Sequence, residues 1–425
     1  PEISQERRNQ YHIESDELGQ GTAKEKFRAN IAAIQMLKKC EEEGRLATPE
    51  EQEWLSGYVG WGGLSDAFDE TKTAWGTEYL ELKTVLTPEE YAAAKESTLT
   101  AFYTPPVVIR AMYQVLENMG LKSGNILEPS CGIGNFIGMK PESLSDCRIY
   151  GVELDSVSGR IARQLYQKST VAIQGYEEVN LPDSFFDVAV GNVPFGQFKI
   201  LDQRYNRHNF LIHDYFFAKT LDKVRPGGVI AFITSSGTMD KKNPAIRKYI
   251  AQRAELLGAV RLPNDTFKKN AGTEVTSDIL FLQKRDRIVE TEPDWLYLDV
   301  DENGVTQNRY FVEHPEMVLG EMVMEHTQHG MANTCRPYED KELESLLSEA
   351  VENIQAEIQE YESEELASEE TDGSVPADPS VSNFSYTMLE GKIYYRENSR
   401  MKPVELSVTG GNRVKGMIAI RDIVR

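Results

Sequence analysis

Two short segments hold residues whose types and order could do chemistry: Asn125-Ile126-Leu127-Glu128-Pro129-Ser130-Cys131-Gly132-Ile133-Gly134-Asn135-Phe136 and Phe185-Phe186-Asp187-Val188-Ala189-Val190-Gly191-Asn192-Val193-Pro194-Phe195-Gly196. Each is an apolar run that ends abruptly in a polar turn bearing glycine or proline. The second turn suits work on an exocyclic amine conjugated to a ring, a poor nucleophile because its lone pair is delocalised. A carboxamide oxygen and a backbone carbonyl that accept its two N–H groups draw the nitrogen toward tetrahedral geometry. Asn192 can supply the first and the Val193 carbonyl the second. Pro194 restricts the turn, and Phe195 can stack on the base. Catalysis is then positioning and electrostatics for in-line displacement at a sulfonium methyl, with no general base required.

The first turn is read as the cofactor site. Glycines at Gly132 and Gly134 allow close approach of backbone to ligand. The next apolar run ends Tyr150-Gly151-Val152-Glu153-Leu154-Asp155, which puts an acid at a strand tip, placed to accept ribose hydroxyls. This spacing suits either a dinucleotide or an adenosyl ligand. The turn lacks the third glycine of the dinucleotide fingerprint, which favours S-adenosylmethionine over NAD. Gln174-Gly175-Tyr176-Glu177-Glu178 ends a third run and offers Glu177 or Glu178 to the adenine amino group. Upstream, Phe102-Tyr103-Thr104-Pro105-Pro106 opens a helix, with Thr104 as a natural N-cap and the helix N-terminus available to a carboxylate. The cofactor contacts expected are Tyr103, Thr104, Glu128, Pro129, Ser130, Gly132, Gly134, Phe136, Glu153, Leu154 and Glu177.

Beyond the second turn, Gly196 to Asn209 is polar and carries Lys199, Arg204, Arg207 and His208. A basic loop beside a base pocket can grip DNA phosphates or help extrude a nucleotide. His326 and His329 form an HxxH, but no carboxylate or cysteine pattern completes it, so no metal is expected.

The elements that must position these turns alternate. Strands are expected at 125–128, 148–153, 170–174, 186–191, 228–233, 256–261 and 278–283, and helices at 105–119, 155–167, 210–224 and 243–254. This predicts an α/β fold: a doubly wound, mostly parallel seven-stranded Rossmann-like sheet over 101–285, with ligands at the carboxyl ends of its strands. Residues 1–20 are polar and read as loose. The remainder of 1–100 reads as a helical domain: Phe27, Ile31, Ile34 and Leu37 recur at helical spacing, and Thr48-Pro49-Glu50-Glu51 and Thr87-Pro88-Glu89-Glu90 are helix starts. Trp61, in the glycine-rich run Tyr58 to Leu64, reads as a core anchor. Residues 286–370 form an acidic α+β extension. Within it, 339–370 is a glutamate-rich helical segment with the stripe Leu343, Leu346, Leu347, Val351, Ile354 and Ile358. Residues 371–383 read as a linker, and 384–425 as a small β-rich hairpin module turning at Gly410-Gly411, or the start of a truncated domain.

Composition bounds the class. The chain has 425 residues and a formal charge of −22, with 30 acidic and 12 basic residues in 286–425. The front two thirds is nearly neutral and can carry a local basic face. No apolar run approaches the roughly 20 residues that span a bilayer, and no signal peptide is visible, so a cytoplasmic protein without membrane contact is expected. Four scattered cysteines without a CxxC fit a reducing compartment. A chain that begins at Pro1 reads as a piece of a longer polypeptide, or as a processed one.

Residues 101–285 resemble the amino-adenine DNA methyltransferases of the gamma group, in the order Phe-Tyr-Thr-Pro-Pro, glycine turn, acidic strand tip, Asn-x-Pro-Phe. Leu262-Pro263-Asn264-Asp265-Thr266-Phe267, Ala271-Gly272-Thr273 and Thr276 through Lys284 are similar to modification subunits of type I restriction systems. Tyr58-Val59-Gly60-Trp61-Gly62-Gly63-Leu64 and Ser97-Thr98-Leu99-Thr100 resemble methylase–helicase fusion proteins of conjugative elements and phages. The resemblance implies transfer of methyl from S-adenosylmethionine to N6 of adenine in DNA, with a helicase region following Arg425 in the same parent polypeptide. Where the family usually shows Asn-Pro-Pro-Phe or Tyr, Val193 keeps the carbonyl and loses one ring. No long basic target-recognition region is visible. Two other readings are a catalytically silent module that binds cofactor or DNA, and a protein glutamine N5-methyltransferase. Oligomeric state is not legible.

Overall fold

The computed structural model describes residues 8–16, 19–98, 103–268, 274–327, 330–358 and 373–424. Phe102, Ala271-Gly272-Thr273, Leu99-Thr100, His329 and the 359–370 part of the glutamate-rich segment lie outside the described residues.

The helical region opens the chain with α1 (Ala23–Glu42), α2 (Pro49–Ser56), α3 (Gly76–Val85) and α4 (Pro88–Ser97). Thr48 and Thr87 each accept from the backbone of the glutamate three residues on, whose carboxylate returns to the threonine amide. Both helix starts read from sequence are therefore reciprocal capping boxes. Trp61 is buried, edge-on to Phe68 at 5.3 Å and to Phe27 at 6.1 Å. The helix Ser156–Leu165 is the face on which this region docks: the Gln164 side-chain oxygen accepts from the Ala47 amide at 2.8 Å, and Gln52 donates to the Gln164 and Leu165 carbonyls.

The centre is a seven-stranded sheet: β1 (Gly124–Glu128), β2 (Cys147–Glu153), β3 (Thr170–Ile173), β4 (Phe186–Asn192), β5 (Val224–Ser235), β6 (Ala254–Leu262) and β7 (Ser277–Lys284). Its order is β3-β2-β1-β4-β5-β7-β6. The first five strands pair in parallel, and β7 runs antiparallel to both its neighbours. Ile126, Leu127, Val188, Ala189, Ile230 to Ile233 and Leu280 are buried. Such unbroken apolar runs belong to strands covered on both faces. The covering helices include α5 (Pro106–Asn118), the short α6 (Asn135–Gly138), α7 (Ser156–Leu165), α8 (Ile212–Lys223), the short α9 (Gly237–Asp240) and α10 (Ala245–Arg253). The chain steps from β1 outward to β2 and β3, then returns to β4 on the other side of β1. The carboxyl ends of β1 and β4 thus flank the switch point where ligands bind in such sheets.

Several readings outside the sheet need correction. Residues 8–16 are tied down: the Tyr11 amide donates to the Leu165 carbonyl and the Ile13 amide to the Gly138 carbonyl, both at 2.9 Å. Part of the 371–383 segment is built into a sheet, because Val375–Pro376 pairs with Arg400–Pro403. Residues 384–425 do contain hairpins, Tyr386–Leu389 with Lys392–Glu397 and the latter with Arg400–Pro403, but Val408–Val424 is a helix, so Gly410 and Gly411 lie in its first turn and not in a hairpin turn. Glycine costs a helix about 1 kcal/mol but does not forbid it. Thr104 is not the cap of α5: the helix begins at Pro106 with Pro105 in the cap position and no side-chain cap bond. The glutamate-rich segment is helical only over Leu343–Glu352, which packs on α5 with Leu347 and Val351 buried; Ile354 and Ile358 are buried too, but lie beyond the helix end.

Candidate active site

A cavity of about 390 Å³ opens at the carboxyl ends of β1 to β4. Tyr103, Thr104, Glu128, Pro129, Ser130, Gly132, Phe136, Glu153, Leu154, Glu177, Asn192, Val193, Pro194 and Phe195 all line it. Two turns far apart in sequence therefore share one space.

The turns are joined directly. The Ser130 hydroxyl donates to the Asn192 carbonyl at 2.8 Å. The Val193 amide donates to the Ile233 carbonyl at 3.1 Å, which extends the β4–β5 ladder through the turn. Gly191, at φ +149°, passes close to the Glu128 side chain, which would stand 3.5 Å from an added Cβ. The end of β4 is thus pinned on both sides, by the cofactor turn and by β5.

Five acids line the cavity: Glu96, Glu128, Glu153, Asp155 and Glu177. Glu128 is buried, and burial, with Glu153 adding, pushes its carboxyl well above the usual range. Its Oε2 has no hydrogen-bond partner, and neither has Asn135 Oδ1 beside the same cavity. Orphaned acceptors in a cavity wall favour a ligand that brings N–H groups or positive charge. Burial raises the Glu153 carboxyl to about 7, against the pull of the Asp155 and Gly132 amides, and Asp155 adds repulsion. Both those amides donate to it at 2.7 Å, so Glu153 braces the glycine turn as well as facing the cavity.

Gly134 is not in the cavity lining. Its φ is +87°, and an added Cβ would stand 2.5 Å from the Tyr166 ring, so close packing is what requires glycine there. The four basic side chains of the 196–209 loop also lie outside the lining, although its Phe198 and Ile200 belong to it. Arg204 pairs with Asp183 and Asp222, both at 2.9 Å, and donates to the Asn383 carbonyl at 3.0 Å. The His208 ring stacks on Phe210 with centroids 5.1 Å apart, and burial and Arg207 lower its pKa. Lys199 donates to Asn209 at 2.6 Å from an exposed position, and Arg207 Nε lies 3.2 Å from His208 Nε2.

Sequence reasoning missed one wall altogether. Tyr58, Gly60, Ala93, Glu96 and Ser97 of the helical region line the cavity. It also missed Tyr176, Phe198, Ile200, Ile212 and Phe216. Tyr176 packs on Phe216 at 4.9 Å, and its hydroxyl lies 3.0 Å from the Thr220 hydroxyl. The runs Tyr58 to Leu64 and Ser97 to Thr100 were the signals within the first group; Tyr176 lay in the strand end beside Glu177, and no local pattern marked Phe198, Ile200, Ile212 or Phe216. Among the described residues no cluster of three or more His, Cys, Asp or Glu could hold a metal, and His329 falls outside them. All four cysteines are buried free thiols. No described helix is long and apolar enough to cross a membrane.

A doubly wound sheet with one antiparallel strand, a glycine turn after β1, an acid ending β2 and Asn-x-Pro-Phe after β4 define a Rossmann-like methyltransferase. Residues 86–315, more than half of the chain, match the model of the N-6 DNA methylase family, and the chain belongs to that family. It is 30% identical over 262 residues to "Defense against restriction protein B" of Escherichia phage P1, covering 60% of this chain and 10% of that protein. It is 29% identical over 202 residues to "Type II methyltransferase M.XamI" of Xanthomonas campestris pv. amaranthicola, covering 42% of this chain and 38% of that one. The chain therefore spans well under half of each. Among solved structures it is similar to the type I restriction enzyme EcoKI M protein, at 15% identity and a TM-score of 0.35, covering 63% of this chain and 64% of that one.

The family's cofactor is S-adenosylmethionine, and the residues fit it. The orphaned Glu128 and Asn135 oxygens suit a ligand carrying an ammonium group, and Glu153 stands at the tip of β2.

Proposed function

We propose that this chain transfers a methyl group from S-adenosylmethionine to the N6 amino group of adenine in DNA. The observation that carries the reading is the cavity shared by the cofactor turn and the Asn192 turn, locked together by the Ser130–Asn192 bond at 2.8 Å. The cofactor supplies an electrophilic methyl on a sulfonium. The protein's part is to hold the acceptor. Asn192 Oδ1 and the Val193 carbonyl accept the two N–H groups of the amine, which concentrates its lone pair toward the methyl. Pro194 fixes the turn, and Phe195 stacks on a base turned out of the helix. The Glu128 carboxyl, Ser130, Gly132 and Phe136 hold the methionine end together with Tyr103 and Thr104. Glu153, Leu154 and Glu177 hold the adenosyl end. Lys199 and Arg207 are the loop cations placed to meet phosphate, while Arg204 is engaged by Asp183 and Asp222. DNA is the partner in this reading, with a helicase region in the parent polypeptide.

The test is incubation with radiolabelled S-adenosylmethionine and unmethylated genomic DNA, comparing wild type with Asn192→Ala. Label in DNA that is lost in the variant supports the reading. Cofactor binding with no label from wild type on any DNA replaces it with a silent binding module.

A further inference from the structure

Tyr103 sits where two segments far apart in sequence meet. On one side is Gly60 of the helical region, where an added Cβ would stand 2.5 Å from ring Cε2 and 2.9 Å from the hydroxyl. On the other is Gly132 of the cofactor turn, where an added Cβ would stand 3.8 Å from Cε1. Both glycines have positive φ, +69° and +56°. Tyr103 is half-buried, and burial raises the pKa of its phenol, with Asp155 and Glu153 adding.

The turn at Gly60 is fixed from behind. Asn30 of α1 is fully buried. Its amide nitrogen donates to the Gly60 carbonyl at 2.6 Å, and its oxygen accepts from the Val59 amide at 2.8 Å. A buried carboxamide satisfied at both ends by one short stretch of backbone holds that stretch in a single geometry. Trp61, next in the chain, is held edge-on by Phe27, Tyr58 and Phe68. The turn has no freedom to retreat from Tyr103.

We propose that Asn30 is a positioning residue for the cofactor. By fixing the backbone from the Val59 N–H to the Gly60 carbonyl it presses Tyr103 toward the Gly132 turn, and the helical region becomes a working part of the cofactor cradle. The inference rests on the methyltransferase reading and adds to it. Ala93, Glu96 and Ser97 of α4 line the same cavity, so the helical region contributes a second stretch of wall. Asn30 touches no reacting atom and acts through Tyr103. Its signature therefore belongs in cofactor affinity: the KM for S-adenosylmethionine rises, while kcat at saturating cofactor stays near the wild-type value.

The experiment is equilibrium binding of S-adenosylhomocysteine to the full chain carrying Asn30→Asp, Gly60→Ala or Gly44→Ala. Asn30→Asp keeps the acceptor for the Val59 amide and loses the donor to the Gly60 carbonyl. Gly44 is a matched control: its φ is +61°, and nothing lies within 4 Å of an added Cβ. Gly44→Ala therefore carries the same kind of backbone strain without meeting Tyr103. Gly60→Ala and Asn30→Asp should each weaken binding about tenfold, and Gly44→Ala by less than about twofold. The Gly60→Ala loss should shrink when Tyr103→Ala removes the ring it meets. If Gly60→Ala does not fold, the KM and kcat of Asn30→Asp decide. Unchanged affinity or KM in the Asn30 variant, or a Gly60→Ala loss that persists without the Tyr103 ring, overturns the inference. Wild type that binds no S-adenosylhomocysteine overturns the methyltransferase reading and this inference with it, which is a different result from tight wild-type binding with indifferent variants.

Discussion

The Ser130 hydroxyl and the Asn192 carbonyl are hydrogen-bonded at 2.8 Å across the crevice between β1 and β4. This bond sets the distance between the turn that faces the cofactor and the turn that faces the acceptor. In-line displacement tolerates little error in that distance. Ser130→Ala removes the donor and with it one part-buried hydrogen bond, at a cost of about 0.5–1.5 kcal/mol. The expected outcome is a kcat/KM for methyl transfer about tenfold lower with a melting temperature within a few degrees of wild type. Steady-state kinetics beside thermal unfolding checks it; a normal rate would mean that β5 alone holds the turn.

Asn192 is expected to contribute through charge placement on the amine. Asn192→Ala should lower kcat about 10²–10³-fold, the scale seen when one preorganised polar group is deleted from a reaction site. S-adenosylhomocysteine affinity should change by less than about threefold, because the side chain addresses the acceptor. Parallel loss of cofactor binding would move Asn192 into the cofactor's half of the cavity.

Glu153 gives a pH prediction. Its folded carboxyl titrates at about 7, raised mainly by burial. An unfolded glutamate titrates at roughly 4.3. Between those values the folded state holds the proton more tightly than the unfolded state. This contribution to stability is complete below the unfolded pKa and is lost as pH rises through about 7. Glu128, raised well above the usual range by burial, acts in the same direction. Urea unfolding of the cofactor-free protein should show stability falling between pH 5 and 8, on the order of a few kcal/mol, with a shallower fall in Glu153→Gln. Cofactor affinity should rise over the same interval in wild type as the Glu153 carboxylate forms. A flat stability profile in wild type would contradict the assignment.

Arg204 and its loop neighbours should separate cleanly. Arg204 meets Asp183 and Asp222, both buried. Arg204→Ala should destabilise the fold by about 3 kcal/mol, because buried carboxylates lose a partner. Lys199→Ala and Arg207→Ala should leave the melting temperature alone, weaken DNA binding and reduce its salt dependence by about one counterion each. Calorimetry and DNA titrations at several salt concentrations distinguish these outcomes. A reduced salt slope from Arg204→Ala in a normally stable protein would reassign that residue to DNA.

The central sheet was legible because each strand is a short β-rich apolar run bounded by turn residues, as in Phe186 to Asn192. The two functional turns were legible because glycine, proline and the carboxamide leave little else for such strand ends to be. What escaped was built from contacts distant in sequence. Gly60, with Asn30 behind it, reaches the cavity only through docking of the helical region on α7, and no local pattern carries that. The 371–383 stretch has linker composition, yet the Asn383 amide donates to Asp183, 200 residues away. Gly410-Gly411 reads locally as a turn, but the residues after it carry the chain into a helix. Arg204 shows the same limit in charge. Sequence supplies the guanidinium; only the fold shows that Asp183 and Asp222 already hold it.

The most direct measurement is nucleoside mass spectrometry on unmethylated DNA after reaction with S-adenosylmethionine and the wild-type chain or Asn192→Ala. The account predicts N6-methyladenine from wild type and none above background from the variant. Methyl groups found on cytosine, on protein glutamine, or equally with both proteins would contradict it.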